Sequence, residues 1–290
     1  MNRFKGLGTA LVTPFREGVV DYEAYRRMVE RQADAGVDFL VPLGSTAETP
    51  CLEDSEKIMI LDIAKEMSRG LPVVAGVGTN SLRSTLSNMA LLSAADAFLV
   101  VVPYYNKPVQ RGLYEYFTAV AASTDKPVIL YNVPGRTGTN MTAETVLRLA
   151  EIPNIVAVKE ASGNIAQILE IKRSAPDDFS VLSGNDDETL PLMASGADGV
   201  ISVASNVAPK EMAELVKAVR QSDLRKAIAL NNRLMPLYHA CFVESNPIPV
   251  KAALSLLGLC TSEMRLPLTK ATDGTVELLR EVLSEGKYSE

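Results

Sequence analysis

The feature that most restricts what this chain can fold into is a rhythm. From Gly6 onward, short runs rich in apolar and β-branched residues alternate with stretches of helical periodicity, eight times over. The spacing predicts strands over 7–12, 39–43, 73–76, 97–102, 128–132, 155–159, 180–183 and 199–203. Helical spacing covers 22–36, 52–68, 82–94, 113–123, 143–150, 165–174, 188–195 and 209–219. Strand followed by helix, eight times, is the pattern of an α/β chain closed into a parallel (β/α)₈, or TIM, barrel. A doubly wound open sheet is the alternative, and it would rarely need eight regular units without a glycine-rich fingerprint. With 290 residues, 47% of them apolar, the chain can bury a core of that size.

After Ser222 the rhythm changes. Residues 224–240, 249–257 and 275–284 look helical, with no strand between them. We read 1–222 as a catalytic barrel and 223–290 as a helical extension packed on it, with no low-complexity linker between the two.

In such barrels chemistry sits at the C-terminal ends of the strands, and the unusual residues of this chain cluster there. The run Asn154-Ile155-Val156-Ala157-Val158-Lys159-Glu160-Ala161-Ser162-Gly163 ends a short apolar strand with a lysine. Side chains alternate faces, so Ala157 and Lys159 share one face and Val156, Val158 and Glu160 the other. A buried ammonium is expensive, burial favours its neutral form, and a neutral lysine can condense with a carbonyl. The plainer alternatives are a lysine paired with Glu160, or one that snorkels from the strand end.

Strand five ends Leu130-Tyr131-Asn132-Val133-Pro134-Gly135-Arg136-Thr137-Gly138. Alternation places Ile129 and Tyr131 on one face, which we assign to the interior beside Lys159. A buried phenol can ferry protons to and from a carbinolamine, or it can be a core tyrosine bonded to a carbonyl. Arg136 follows in a Pro/Gly-rich loop, suited to bidentate capture of a carboxylate or else to a solvated surface pair. After strand two, Gly44-Ser45-Thr46-Ala47-Glu48-Thr49 offers free backbone N–H groups to a small anion, though Ser and Thr there also suit a helix cap. Strand four ends in Pro103-Tyr104-Tyr105-Asn106-Lys107-Pro108; one tyrosine can line a pocket and the other a subunit contact. Ser183-Gly184-Asn185-Asp186 and Ile201 fall on the same rim. Gly6-x-Gly8 and Gly76-Val77-Gly78 are weak phosphate signals that close packing explains equally well.

Charge excludes some classes. The net charge is −6, with no long run of either sign, which argues against a nucleic-acid partner or an anionic membrane surface. Cys51, Cys241 and Cys260 are odd in number, lack metal spacing and suit a reducing cytoplasm. With one histidine, His239, no metal site built on imidazoles is expected. Met1 to Lys5 carries no apolar h-region, and no apolar run reaches spanning length, so a soluble cytoplasmic protein is expected.

From about Gly6 to Leu257 the chain resembles the pyruvate-dependent Schiff-base (class I) lyases of the dihydrodipicolinate synthase and N-acetylneuraminate lyase family. The motifs that carry the resemblance are Gly44-Ser45-Thr46-Ala47-Glu48, Pro103 to Pro108, Tyr131 to Gly138, Val158-Lys159-Glu160 and Asn246-Pro247-Ile248-Pro249-Val250-Lys251. It implies that Lys159 forms an iminium with pyruvate and that Tyr131 relays protons with Ser45 and with Tyr105 of a neighbouring subunit. Thr46 would hold the pyruvate carboxylate, Arg136 the carboxylate of a second substrate, and the backbone around Gly184 and Ile201 would shape the pocket. No cofactor is implied, and the assembly implied is a homotetramer built as a dimer of dimers. Arg136 points to the branch that condenses pyruvate with aspartate semialdehyde in lysine and diaminopimelate biosynthesis. The alternatives are a sialic-acid or keto-deoxy sugar-acid aldolase, which would carry an apolar or smaller residue there, and a barrel that has lost catalysis.

Two departures from the family pattern carry expectations. Ser45 stands where threonine is frequent, which keeps the hydroxyl. Ala47 stands where glycine is usual, and alanine would strain the loop if that position needs positive φ. Some family members are inhibited by lysine. The matching positions here are Thr49, Pro50, Asp54, Lys57, Asn80, Ser84 and Tyr104, with Lys57 and Ser84 in place of histidine and glutamate. Lys57 would repel the effector's ammonium, so weak or absent feedback is expected.

Overall fold

The computed structural model describes residues 4–286 and 288. Its barrel strands are β1 (Gly6–Ala10), β2 (Phe39–Val41), β3 (Val74–Gly76), β4 (Ala97–Val101), β5 (Val128–Asn132), β6 (Ile155–Glu160), β7 (Ser180–Ser183) and β8 (Gly199–Ser202). They form one parallel sheet in the order β2-β1-β8-β7-β6-β5-β4-β3. The ring closes between β2 and β3 through a parallel bridge of Leu40 with Val73. Across that seam the Leu40 amide donates to the Pro72 carbonyl at 2.9 Å, and the Gly76 amide to the Pro42 carbonyl at 3.0 Å. Here Gly76 is a packing glycine: a Cβ on it would lie 2.1 Å from the Leu43 carbonyl oxygen.

Helices α1 (Tyr22–Ala35), α2 (Asp54–Met67), α3 (Leu82–Leu91), α4 (Gln110–Ala122), α5 (Ala143–Ala150), α6 (Ile165–Ser174), α7 (Thr189–Ala194) and α8 (Pro209–Arg220) follow the strands in turn. Strand alternation divides the apolar residues into two cores. Phe39, Val41, Val74, Leu99, Ile129, Tyr131, Ala157, Leu182 and Ile201 fill the inside of the ring. Leu7, Leu40, Val100, Leu130, Val158, Val181 and Val200 face outward into a larger core shared with the helices.

Several boundaries differ from the sequence expectation for local reasons. β2 stops at Val41 because Leu43 adopts a left-handed φ of 59° and turns the chain out of the sheet. α2 starts at Asp54, not 52, where Glu53 and Glu56 form a reciprocal capping box. β6 runs one residue further, through Glu160. A small hairpin pairs Phe15–Arg16 with Val19–Val20; strands of two residues leave too short an alternation to read.

Beyond Ser222 the chain is helical: α9 (Leu224–Ala240), α10 (Ile248–Leu256) and α11 (Asp273–Gly286). Leu234, Leu237, Val250, Leu254 and Leu279 are buried in the same outer core as the barrel helices. Residues 1–3 of the expected barrel segment, and 287, 289 and 290 of the expected extension, lie outside the described residues. Among the described residues no helix is long and apolar enough to cross a membrane.

Candidate active site

β5 and β6 pair with Tyr131 opposite Lys159. Ile129, Tyr131 and Ala157 belong to the inner core, so the Tyr131 and Lys159 side chains both enter the barrel. Lys159 is 5% exposed, and its Nζ lies 4.3 Å from the centroid of the Tyr131 ring. Burial pulls the Lys159 ammonium down from 10.5 to about 8; the Asp186 carboxylate opposes the fall and the Arg136 guanidinium adds to it. At pH 7 that leaves about one lysine in ten neutral, against roughly three in ten thousand for an exposed one. Burial also raises the Tyr131 phenol above its usual value, with Arg136 opposing.

Glu160 is not the partner of Lys159. It alternates to the outer face, where its Oε1 accepts from Asn132 Nδ2 and its Oε2 from Gln167 Nε2, both at 2.8 Å. Burial pushes this carboxyl up to about 7 despite those hydrogen bonds. The low exposure of Lys159 likewise sets aside a snorkelling side chain.

Lys159 and Tyr131 look into a cavity of about 60 Å³ at the C-terminal mouth of the barrel. Ser45, Thr46, Arg136 and Gly184 line it too. Arg136 is exposed at the mouth of the cavity, where its Nη2 donates to the Asn246 carbonyl at 3.1 Å. Gly184 belongs there by close approach: a Cβ would stand 2.6 Å from Ala161 Cβ and 3.0 Å from the Glu160 carbonyl.

The loop after β2 forms two successive 3₁₀ turns, Ser45–Ala47 and Thr49–Cys51. The left-handed residues are Leu43 (φ 59°) and Glu48 (φ 55°), and Ala47 is not among them. The strain expected at Ala47 is therefore absent, carried instead by its neighbours. Neither Ser45 nor Thr46 caps α2, a task taken by Glu53. Ile201 does not line the cavity. It is fully buried in the inner core, while Val203, just beyond the end of β8 where the backbone has turned αR, lines the cavity.

Asn185, Phe242 and Asn246 also line the cavity without having been singled out as site residues. Asn246 reaches Thr46 Oγ1 from its Nδ2 at 2.9 Å, across 200 residues of sequence. Its only sequence signal is the Asn-Pro-Ile-Pro-Val-Lys motif, which says nothing of where the chain returns.

Tyr105 stays outside the cavity of its own chain, 88% exposed with φ 72°, while Tyr104 is 37% exposed. The positions matched to the lysine-effector site lie on the adjacent connections after β2, β3 and β4. Thr49 Oγ1 donates to the Gly44 carbonyl at 2.9 Å, and Pro50 follows it in the same turn. Lys57 pairs with Asp54 at 2.9 Å. Asn106 Nδ2 donates to the Asn80 carbonyl at 2.9 Å, and the Ser84 amide to Ser81 Oγ at 3.4 Å. Among the described residues, no group of three or more His, Cys, Asp or Glu side chains could hold a metal ion.

Comparison with known proteins agrees with this geometry. The model of the dihydrodipicolinate synthetase family matches residues 3–285. A 4-hydroxy-tetrahydrodipicolinate synthase of Thermotoga neapolitana is 49% identical over 289 residues, covering 97% of this chain and 98% of its own. The crystal structure of dihydrodipicolinate synthase from Thermotoga maritima superposes with a TM-score of 0.96 at 46% identity, over 98% of this chain and 99% of that one. A structure described as the first monomeric dihydrodipicolinate synthase variant gives a TM-score of 0.97 at 46% identity, over 99% and 98% of the two chains. With a matching family model over nearly its full length and relatives at almost half identity, the chain belongs to the dihydrodipicolinate synthetase family.

Proposed function

We propose that this chain condenses pyruvate with L-aspartate-4-semialdehyde, the reaction of a 4-hydroxy-tetrahydrodipicolinate synthase in lysine and diaminopimelate biosynthesis. The observation that carries the reading is a lysine amine whose proton affinity burial has lowered, inside a closed barrel, 4.3 Å from a tyrosine ring.

In this reading the neutral Lys159 amine attacks the keto carbon of pyruvate, and the carbinolamine loses water to give an iminium. The cationic nitrogen withdraws electrons, so the methyl carbon gives up a proton and the resulting enamine attacks the aldehyde carbon. The semialdehyde's own amine can then displace Lys159 at the former keto carbon, which frees the enzyme. Tyr131 moves protons to and from the carbinolamine. Ser45 of the same chain and Tyr105 of a neighbouring subunit extend the relay, Thr46 receives the pyruvate carboxylate, and Arg136 receives that of the semialdehyde. Gly184 gives the pocket its room. The iminium supplies the electron sink, so no separate cofactor is required.

The exposure of Tyr105 supports its use across an interface, and with it a homotetramer assembled as a dimer of dimers. Three free cysteines support a reducing cytoplasm. The arginine at position 136 favours this substrate pair over sugar-acid aldolase chemistry, and a cavity holding lysine, phenol and arginine together speaks against an inert barrel.

Borohydride reduction in the presence of pyruvate, followed by peptide mass mapping, tests the reading. It expects an adduct on Lys159, and turnover with aspartate semialdehyde that N-acetylneuraminate does not support. An unmodified Lys159 would sink it.

A further inference from the structure

The C-terminal extension takes hold of the loop after β2 at Thr46, at Glu48 and at Cys51, whose carbonyl accepts from Arg265 Nη1 at 2.8 Å. Asn246, just before α10, donates to Thr46 Oγ1 at 2.9 Å. Further along, inside α10, Lys251 Nζ donates to Glu48 Oε1 at 2.7 Å. Both side chains of the second pair are 0% exposed. The other Glu48 oxygen, Oε2, accepts the Arg265 amide at 3.1 Å, so residues of the extension occupy both carboxylate oxygens. Lys251 Nζ stands 4.2 Å from the Phe15 ring centroid and the Arg265 guanidinium 4.5 Å from the same ring. That guanidinium is itself tied to Glu56, at 2.6 and 2.7 Å.

Glu48 is the hinge of the loop. Its backbone is left-handed and joins the two 3₁₀ turns; its amide donates to the Ser45 carbonyl at 3.2 Å and its carbonyl accepts from Cys51 at 2.8 Å. A shift of this residue therefore moves Ser45 and Thr46 with it. A buried ion pair adds less net stability than apolar residues of the same shape, because both charges lose their water. What it adds is direction and distance: separating the two groups in a dry interior is costly, so their relative position is stiff.

We propose that the Lys251–Glu48 pair is a positioning device, by which the helical extension sets the height of the Ser45–Thr46 turn over Lys159 and so tunes pyruvate binding. The proposal rests on the assignment of that turn to the pyruvate carboxylate. Neither residue lines the cavity, and both act through the loop.

The test is borohydride trapping at Lys159 as a function of pyruvate concentration, in the full chain and in Lys251→Met and Glu48→Gln. Half-saturating pyruvate is expected to rise tenfold or more in Lys251→Met, and less in Glu48→Gln, which keeps a hydrogen bond to Lys251. Adduct yield at saturation and the pH midpoint of trapping should stay unchanged. A merely structural role would lower the melting temperature and leave half-saturation alone; folded variants within twofold of the parent overturn the proposal. Amide hydrogen exchange over residues 45–48 reads the same device without any chemistry. Exchange at least tenfold faster in either variant is expected, and unchanged exchange overturns the device even if the parent itself is not trapped by pyruvate.

Discussion

Lys159→Met turns the central electrostatic feature of the site into a stability measurement. The folded chain holds the Lys159 ammonium at about 8 against 10.5 for the free group. At about 1.4 kcal/mol per tenfold change, keeping that proton in the folded state costs about 3 kcal/mol. The sign follows from proton counts. Between pH 8 and 10.5 the unfolded chain binds more protons than the folded one, so stability rises with pH across that window. Below pH 8 the penalty is fully present, and above 10.5 it has gone. Methionine carries no proton, is similar in length, and can pack against Ile129, Ala157 and the Tyr131 ring. The variant is therefore expected to be inactive and more stable than the parent by about 2–3 kcal/mol at pH 7. That gain should shrink to near zero by pH 10.5. Urea unfolding at pH 7, 8.5 and 10 gives the comparison from midpoints at constant slope. A variant no more stable at pH 7, or a gain that does not change with pH, would refute the buried, charge-averse lysine.

Three further outcomes are expected. Tyr131→Phe should lower kcat by about 10²- to 10⁴-fold in a steady-state assay, since its ring lies 4.3 Å from Lys159 Nζ and the proposed relay runs through its phenol; undiminished turnover removes it from the relay. Gly184→Ala should cost about 1–3 kcal/mol in urea unfolding, because the new methyl meets Ala161 Cβ at 2.6 Å; an unchanged midpoint would mean that β6 and β7 part easily at the rim. L-Lysine should inhibit weakly or not at all in a titration of activity, since Lys57, paired with Asp54 at 2.9 Å, places a cation in the matched effector site; tight, complete inhibition contradicts this.

Much of the site was legible because strand alternation is strict. Once 128–132 and 155–159 are read as neighbouring parallel strands, Tyr131 and Lys159 must face the same way, and the register places them opposite each other. The eighth strand's contribution was less legible, because Ile201 is buried in the inner core and Val203, past the strand's end where the backbone turns αR, is the side chain that meets the cavity. Loop conformation was not legible at all. Whether Ala47 or Glu48 takes the left-handed turn depends on what anchors the loop, and the anchor is Lys251, 203 residues away. Alternation also settled the plainer alternative for Lys159: it puts Glu160 on the opposite face, where the carboxylate accepts from Asn132 and Gln167.

By itself the sequence determined the architecture, the lysine and phenol on one inner face, and the arginine at the rim, because periodicities of 2 and 3.6 residues are local properties of the chain. Only the tertiary structure decided the closure of the ring at Leu40 and Val73, the return of Asn246 and Lys251 to the loop after β2, and the depth at which Lys159 is buried. Those depend on which distant segments exclude water from the same volume. It is that exclusion which lowers the proton affinity of Lys159, as the proposed nucleophile requires.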